Sequence, residues 1–327
     1  MHTMVYCERM KAAVLRKFGS GLVIEERPDP KPRGEEVLVR VKGAGVCHSD
    51  LHIIDGEYSH LPLPLILGHE ISGEVSDLGE ALVYASWGCG SCQLCAQGNE
   101  QLCPSASEAG WVRDGGYAEY VIVPSRRYIF GLEGLDPIRS APLADAGLTP
   151  YRAVRQASRW LTKGRATAVV LGAGALGQFA IQYLKLLTDA YVVAVDLKES
   201  KLQRATELGA DEVEFPTNMT RKTKVVLDFV GSNETLALSS RIVERGGVVM
   251  QIGEAGGSIR FGMGFVPHES CFTTSIWGSK QDLSAVLQYA RKGELEWDVE
   301  TVPLENINEA LSRVRRGDVL GRLVVTP

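Results

Sequence analysis

Up to about residue 150, apolar positions come in short alternating runs broken by turns. Met10-Lys11-Ala12-Ala13-Val14-Leu15 predicts a first strand, with residues 1–9 as an extension ahead of it. Val37-Leu38-Val39-Arg40-Val41 alternates after the turn-rich segment Pro28 to Gly34 and predicts a second strand. Gly73-Glu74-Val75 continues a strand after His69. Such recurrent turns are the pattern of antiparallel strands closing into a barrel-like β domain. Thr149-Pro150 marks a change of grammar. From Ala166 the order becomes strand, glycine-rich turn, helix, strand. Thr167-Ala168-Val169-Val170-Leu171 is a continuous apolar run, as expected of a strand buried on both faces of a parallel sheet. Leu176, Ala180, Leu184 and Leu187 follow at helical spacing, and Tyr191 to Val195 is the next strand. A helix (Leu202, Ala205, Leu208), a strand (Val225 to Leu227), a helix (Leu236 to Val243) and a strand (Val248 to Ile252) come after, with Gly246 where a helix C-cap belongs. A helix near Leu283 to Tyr289 and a strand Arg322 to Val325 close the pattern. We therefore expect an α/β fold: a β-rich domain from residues 1–149 and 285–327, and a doubly wound parallel sheet over 150–284.

Composition narrows the class. The 327 residues are 45% hydrophobic and 23% charged, long enough for two cores. No apolar run approaches the roughly 20 residues that span a bilayer. Met1 to Met10 is polar and lacks the apolar region of a signal peptide, so a reducing cytoplasm is expected. A formal net charge of −5 argues against a nucleic-acid partner, which normally meets a basic face. Seven cysteines in that compartment read as metal ligands or free thiols. Cys7 and Cys271 are taken as ordinary thiols.

The other five carry chemistry. Cys47 and His69 supply a thiolate and an imidazole, donors that Zn²⁺ prefers. Ser49 and His52, three residues apart, are a hydroxyl and an imidazole able to pass a proton outward. Asp50 is suited to accept the second ring proton of a ligating His. Cys89-x-x-Cys92-x-x-Cys95-(x)₇-Cys103 puts four thiols in one loop, enough for a closed tetrahedral zinc site of structural role. An iron–sulfur cluster is the alternative, and Cys103-Pro104 speaks for it, although the spacing differs from the bacterial ferredoxin run.

Gly172-Ala173-Gly174-Ala175-Leu176-Gly177 follows a strand and opens a helix, the context that gives a G-x-G-x-x-G run its meaning. The diphosphate of a dinucleotide would rest on the helix N-terminus. Asp196, ending the next strand, suits both ribose hydroxyls and would repel a 2′-phosphate, so NAD is expected over NADP.

Taken together, Cys47-His48-Ser49-Asp50, Gly68-His69-Glu70, the four-cysteine loop and the later glycine fingerprint resemble the zinc-dependent medium-chain alcohol dehydrogenases, over nearly the whole chain from Met10. Ala141 to Pro150 is similar to the bacterial and archaeal secondary-alcohol branch. The resemblance implies a GroES-like catalytic domain beside a Rossmann domain, NAD, and two Zn²⁺ per chain, one catalytic and one structural. It places a third catalytic-zinc ligand at Asp145, where the chain offers a carboxylate instead of the second thiolate of the Cys₂His set. That exchange should leave zinc a stronger Lewis acid. Glu70 is implied as an alternate or transient ligand, Asp50 as the group orienting His69, and Arg322 as a neighbour of Asp50 and the cofactor phosphates. The implied mechanism has Ser49 take the alcohol proton and relay it through the cofactor ribose to His52 and solvent.

Trp87, Trp111 and Trp277 are candidates for the substrate pocket, which favours bulky or aromatic secondary alcohols and ketones. A polyol dehydrogenase or aldehyde reductase of the same scaffold is the alternative. A zinc-ribbon nucleic-acid binder and a silent scaffold fit fewer residues. An apolar strand around Phe272 to Ile276, buried and ending the parallel sheet, is expected to pair with a twin in a homodimer or homotetramer. Finally, the chain is shorter than the family pattern after Glu80 and between Pro216 and Val225. We expect omitted loops there, with the Cα atoms of Glu80 and Ala81 further apart than the roughly 3.8 Å of a trans peptide.

Overall fold

The structure, a computed structural model, describes residues 9–161, 164 and 166–327; residues 1–8, including Cys7 and most of the expected extension, lie outside it. The chain divides into two units. The first comprises Met1–Asp145, Ser279–Lys292 and Asp298–Pro327, the second Ala146–Gly278 and Gly293–Trp297. Side chains explain the excursions from the simple division at 149/150 and 284/285. The helix Lys280–Arg291 is tied into the first unit by Lys280 to Glu100 at 3.0 Å and by Arg291 donating to the Gly131 carbonyl at 2.7 Å. Residues 293–297 return to the second unit, where Gln182 donates to the Glu296 carbonyl at 2.8 Å and accepts from its N–H at 2.7 Å.

In the first unit a seven-stranded sheet runs Ile129–Gly131, Gly79–Val83, Glu70–Val75, Val37–Gly45, Arg322–Thr326, Val299–Pro303, with Tyr120–Val123 also paired to Val37–Gly45. Val23–Pro28, Arg9–Leu15 and Leu65–Ile66 form a second sheet. The helix Ile307–Arg316 was not anticipated; Ile307, Ala310 and Leu311 are its buried stripe, and Gly317 ends it in the left-handed conformation. The helix His48–Ile54 was likewise not anticipated, although it carries the Ser49/His52 pair.

The second unit holds a six-stranded parallel sheet in the order Glu212–Glu214, Tyr191–Val195, Thr167–Leu171, Thr223–Asp228, Val243–Gln251, Cys271–Thr274. Val169, Leu171, Val193, Val195, Val226 and Val249 form its core with Leu238 and Ile242 from the helix Asn233–Ile242. This is the doubly wound architecture expected.

Three local expectations are corrected. Gly246 is no C-cap: the helix ends at Ile242, Val243 already pairs in the sheet, and Gly246 (φ 66°) lies where the register shifts between Thr223 and Val225. No gap separates Glu80 from Ala81. They are neighbours in Gly79–Val83, facing Glu74 and Gly73 in unbroken register, so the chain makes a tight hairpin closed by Leu78 N–H to the Val75 carbonyl at 3.0 Å. Residues 216–218 form an equally direct turn before Thr223–Asp228, with Asn218 N–H on the Phe215 carbonyl at 2.9 Å. The last strand is an edge, as expected, but not buried: it spans only Cys271–Thr274, no further strand pairs with it among the described residues, and Ile276 just beyond it is 45% exposed.

The helix Asn233–Ile242 presses Leu238 into the sheet core, so Leu238→Ala should cost about 2–5 kcal/mol. Urea unfolding of the two proteins measures it, and a loss below about 1 kcal/mol would show that the helix does not anchor the sheet.

Candidate active site

The strand Val37–Gly45 delivers Cys47 to the N-cap of the helix His48–Ile54. Asp50, in the first turn, bends back so that its Oδ2 accepts the Cys47 N–H at 2.9 Å. His69 sits between Leu65–Ile66 and Glu70–Val75, and Asp145 caps the short turn Ala141–Ala144. Three distant segments thus bring one donor each into a buried cluster, with the three ligand atoms within 4.8 Å of one another.

The separations fit a tetrahedral ion. Cys47 Sγ lies 3.7 Å and His69 Nε2 3.5 Å from Asp145 Oδ2. Donors at about 2.3 Å (S), 2.0–2.1 Å (N) and 2.0–2.2 Å (O) from zinc would stand about 3.6 and 3.4 Å apart at tetrahedral angles. Three protein donors leave the fourth position for a reactant.

The surroundings balance charge. Burial alone would push the His69 imidazole down, but the Asp145 carboxylate and the Cys47 sulfur hold it well above its usual value. Three buried donors of these types, within 4.8 Å of one another, suit a cation. Asp50 Oδ1 faces His69 Nδ1 at 3.7 Å, and Tyr117 donates its hydroxyl to Asp50 Oδ2 at 2.7 Å. Arg322, only 8% exposed, grips Glu70 with two parallel bonds of 2.9 and 2.5 Å and reaches within 3.7 Å of Asp145 Oδ2. Arg322 was expected beside Asp50 and the cofactor phosphates; the structure ties it to Glu70 and Asp145, so Glu70 meets the metal pocket already paired.

The four-cysteine loop fits a second ion. Cys89 and Cys95 sulfurs are 4.0 Å apart and Cys92 and Cys103 sulfurs 3.8 Å, against about 3.8 Å for the edge of a zinc–thiolate tetrahedron. Backbone N–H groups of Cys89, Cys92 and Cys95 each donate to a neighbouring sulfur at 3.4 Å. The Ser91 hydroxyl brings the Cys89 thiol down to about 5, whereas burial pushes Cys95 up to about 12. Four thiols so close ionise together only around a cation.

In the second unit, Gly174 caps the helix Ala175–Leu187 with no side-chain bond to its first N–H groups; a side chain there would meet only Lys201 Nζ, at 3.8 Å. At Gly177 a Cβ would stand 1.9 Å from the Gly172 carbonyl oxygen, so only glycine lets the helix pack on the turn. Asp196 accepts Ala173 N–H at 2.8 Å and Lys198 N–H at 3.0 Å, which fixes the carboxylate against the glycine turn with lone pairs to spare. These groups fit a dinucleotide.

Comparison with known proteins agrees. Residues 33–132 match the alcohol dehydrogenase GroES-like domain and residues 175–292 the zinc-binding dehydrogenase family. The chain is 34% identical to an NAD-dependent alcohol dehydrogenase of Sulfurisphaera tokodaii, over 97% of this chain and 100% of that one. It belongs to the zinc-dependent medium-chain alcohol dehydrogenases. The solved alcohol dehydrogenase of Aeropyrum pernix has a TM-score of 0.90 at 34% identity, covering 97% of this chain and 100% of its own. Acetophenone reductase of Geotrichum candidum, solved with NAD, has a TM-score of 0.90 at 30% identity and 98% coverage of each chain. The chain is thus an NAD-dependent oxidoreductase that interconverts alcohols and their carbonyl counterparts.

The remaining residues of this dehydrogenase fall into place unevenly. Ser49 Oγ lies 3.6 Å from the Cys47 sulfur, beside the metal cluster. His52, on the same helix, turns Nδ1 to Glu57 Oε1 at 2.8 Å, a partner beyond the helix end that spacing alone did not point to. Trp87 is core: 2% exposed, its indole N–H is held by the Tyr84 carbonyl at 2.8 Å and its ring is 6.5 Å from Tyr128. Trp111 packs edge-on against Tyr58 at 4.7 Å. Trp277, in the second unit, is buried with φ 49°, an uncommon conformation for so bulky a residue.

Gly177→Ala should weaken NADH binding about tenfold or more, because relieving a 1.9 Å overlap must move the turn or the helix. Fluorescence titration of NADH measures it, and unchanged affinity would remove the fingerprint from the cofactor site.

Proposed function

We propose that this dehydrogenase reversibly oxidises secondary alcohols to ketones, with a catalytic zinc held by Cys47, His69 and Asp145 and a structural zinc held by Cys89, Cys92, Cys95 and Cys103. The observation that carries the reading is the buried trio of one thiol, one imidazole and one carboxylate at tetrahedral spacing. An ion held by these three residues would supply Lewis-acid chemistry, lowering the pKa of a hydroxyl presented to it. NAD, held by Gly172, Gly174, Gly177 and Asp196, supplies the hydride acceptor.

The chain's own groups then have defined tasks. Ser49 Oγ would take the alcohol proton as it gives up its own, and His52, with its Nδ1 on the exposed Glu57 carboxylate, would hand a proton on to solvent. Asp50 fixes His69 through Oδ1. Glu70 and Arg322 neutralise each other at the pocket wall, so Glu70 becomes a ligand only if it first leaves the guanidinium. The similarity to an acetophenone reductase supports bulky aryl ketones as substrates, with Trp87, Trp111 and Trp277 as the candidate residues of the substrate pocket.

Six free cysteines among the described residues support a reducing compartment such as the cytoplasm, and no helix among those residues is long and apolar enough to cross a membrane. The edge strand Cys271–Thr274, with Phe261, Met263, Phe265 and Ile276 exposed in the same stretch of chain, supports self-association as a homodimer or homotetramer.

The deciding experiment follows NADH formation from NAD⁺ with primary and secondary alcohols, polyols and aldehydes, before and after zinc chelation. Secondary alcohols should lead, chelation should abolish turnover, and zinc should restore it; a polyol or aldehyde preference would select the alternative substrate class. Elemental analysis should find two zinc ions per chain and one in Cys103→Ser. Asp196→Ser should raise the ratio of NADP to NAD turnover about tenfold or more, since a carboxylate repels the 2′-phosphate. An unchanged ratio would remove Asp196 from cofactor selection.

A further inference from the structure

Asp50 is fully buried, and its two oxygens have different tasks. Oδ1 accepts no hydrogen bond from the described residues and faces His69 Nδ1 at 3.7 Å. Oδ2 takes two donors, the Cys47 N–H at 2.9 Å and the Tyr117 hydroxyl at 2.7 Å. The first ties Asp50 to its own turn. The second comes from 67 residues away.

Tyr117 is placed firmly enough to act as a fixed donor. It is fully buried, and burial together with the Asp50 carboxylate pushes its phenol well above its usual value, so the proton stays on the hydroxyl. Its segment is laced to the one that delivers His69: Gly115 N–H bonds the Ile66 carbonyl at 2.8 Å, Gly116 N–H the Gly68 carbonyl at 2.8 Å, and Tyr117 N–H the Leu67 carbonyl at 3.0 Å. The ring packs against the residue before His69. A Cβ at Gly68, which has φ 89°, would stand 2.7 Å from two of its ring carbons. The hydroxyl also reaches the Gly45 carbonyl at 3.2 Å, two residues before Cys47. One side chain therefore spans the approaches to Cys47 and His69 and the carboxylate between them.

We propose that Tyr117 is a positioning residue of the catalytic metal site: its hydroxyl holds Asp50 with Oδ1 aimed at His69, and so sets how tightly Cys47, His69 and Asp145 keep a metal ion. The proposal rests on reading that trio as zinc ligands. Without the hydroxyl, Oδ2 keeps a single donor, the carboxylate can turn, and the imidazole loses the partner that fixes its tautomer and raises its basicity. Removing an outer partner of this kind typically weakens metal binding roughly 10–100-fold.

The test measures zinc release to a chromophoric chelator from the zinc-loaded wild type, Tyr117→Phe, Asp50→Asn and the double variant, with thermal melting alongside. Cys47→Ser identifies which release phase belongs to the trio. Tyr117→Phe should lose that zinc roughly 10–100-fold more readily and leave the four-cysteine zinc in place. Adding Tyr117→Phe to Asp50→Asn should then change little, because the hydroxyl acts through the carboxylate. Wild-type retention in Tyr117→Phe overturns the proposal, as does an effect fully additive with Asp50→Asn. Loss of both ions together with the fold also overturns it, since that is a structural role only. A wild type that shows no phase sensitive to Cys47→Ser overturns the ligand reading itself, and the proposal with it.

Discussion

Anionic donors packed out of water need a cation. Asp50, Glu70 and Asp145, packed beside the Cys47 thiol, are each less than 10% exposed, and Arg322 is the permanent positive charge paired among them. An uncompensated buried charge is costly, and breaking one buried pair typically costs about 3–5 kcal/mol. The raised His69 imidazole answers the same demand. A divalent ion meets it better, and the strands and turns around the cluster are arranged to keep the donors at the spacing such an ion imposes. The chemistry and the local fold thus depend on one condition, the balance of charge in a dry pocket.

What the sequence disclosed follows distance along the chain. The glycine fingerprint and the four-cysteine loop are contiguous, and backbone geometry over a dozen residues determines what they can hold. Cys47, Ser49 and Asp50 were legible because they fall within four consecutive residues. Arg322 and Glu70 stand 252 residues apart, Tyr117 and Asp50 67, and no periodicity links such pairs. Arg322 was accordingly expected at the cofactor. Glu57 escaped notice for a subtler reason: it lies five residues from His52, past the helix end, where helical spacing no longer tells which side chains meet. Gly246 misled because glycine serves a bulge as readily as a helix end, and Glu80 because a missing stretch relative to a family pattern looks the same whether omitted or never present.

The two proposed metal sites differ in what they ask of the protein. The four sulfurs are close to sufficient in themselves: they touch one another and accept bonds from their own loop's backbone. The trio is not sufficient. Its donors stand beside Asp50, which accepts the Tyr117 hydroxyl, and beside Arg322, and three protein donors would leave a tetrahedral ion one further position. The two proposed sites thus differ in how much of the fold stands behind each donor.

That difference bears on the order in which the protein matures. During synthesis the four-cysteine loop is complete as soon as Cys103 has been made, and it can take up an ion while most of the polypeptide is still to come. The pocket at Cys47 has all its donors once Asp145 exists, yet its charge stays unbalanced until the strand Arg322–Thr326 docks against Val37–Gly45. The loop's four donors thus come from one stretch of chain, whereas the pocket at Cys47 meets its guanidinium only through the closing strand, so a chain whose last strand has not docked lacks the charge balance of the finished fold.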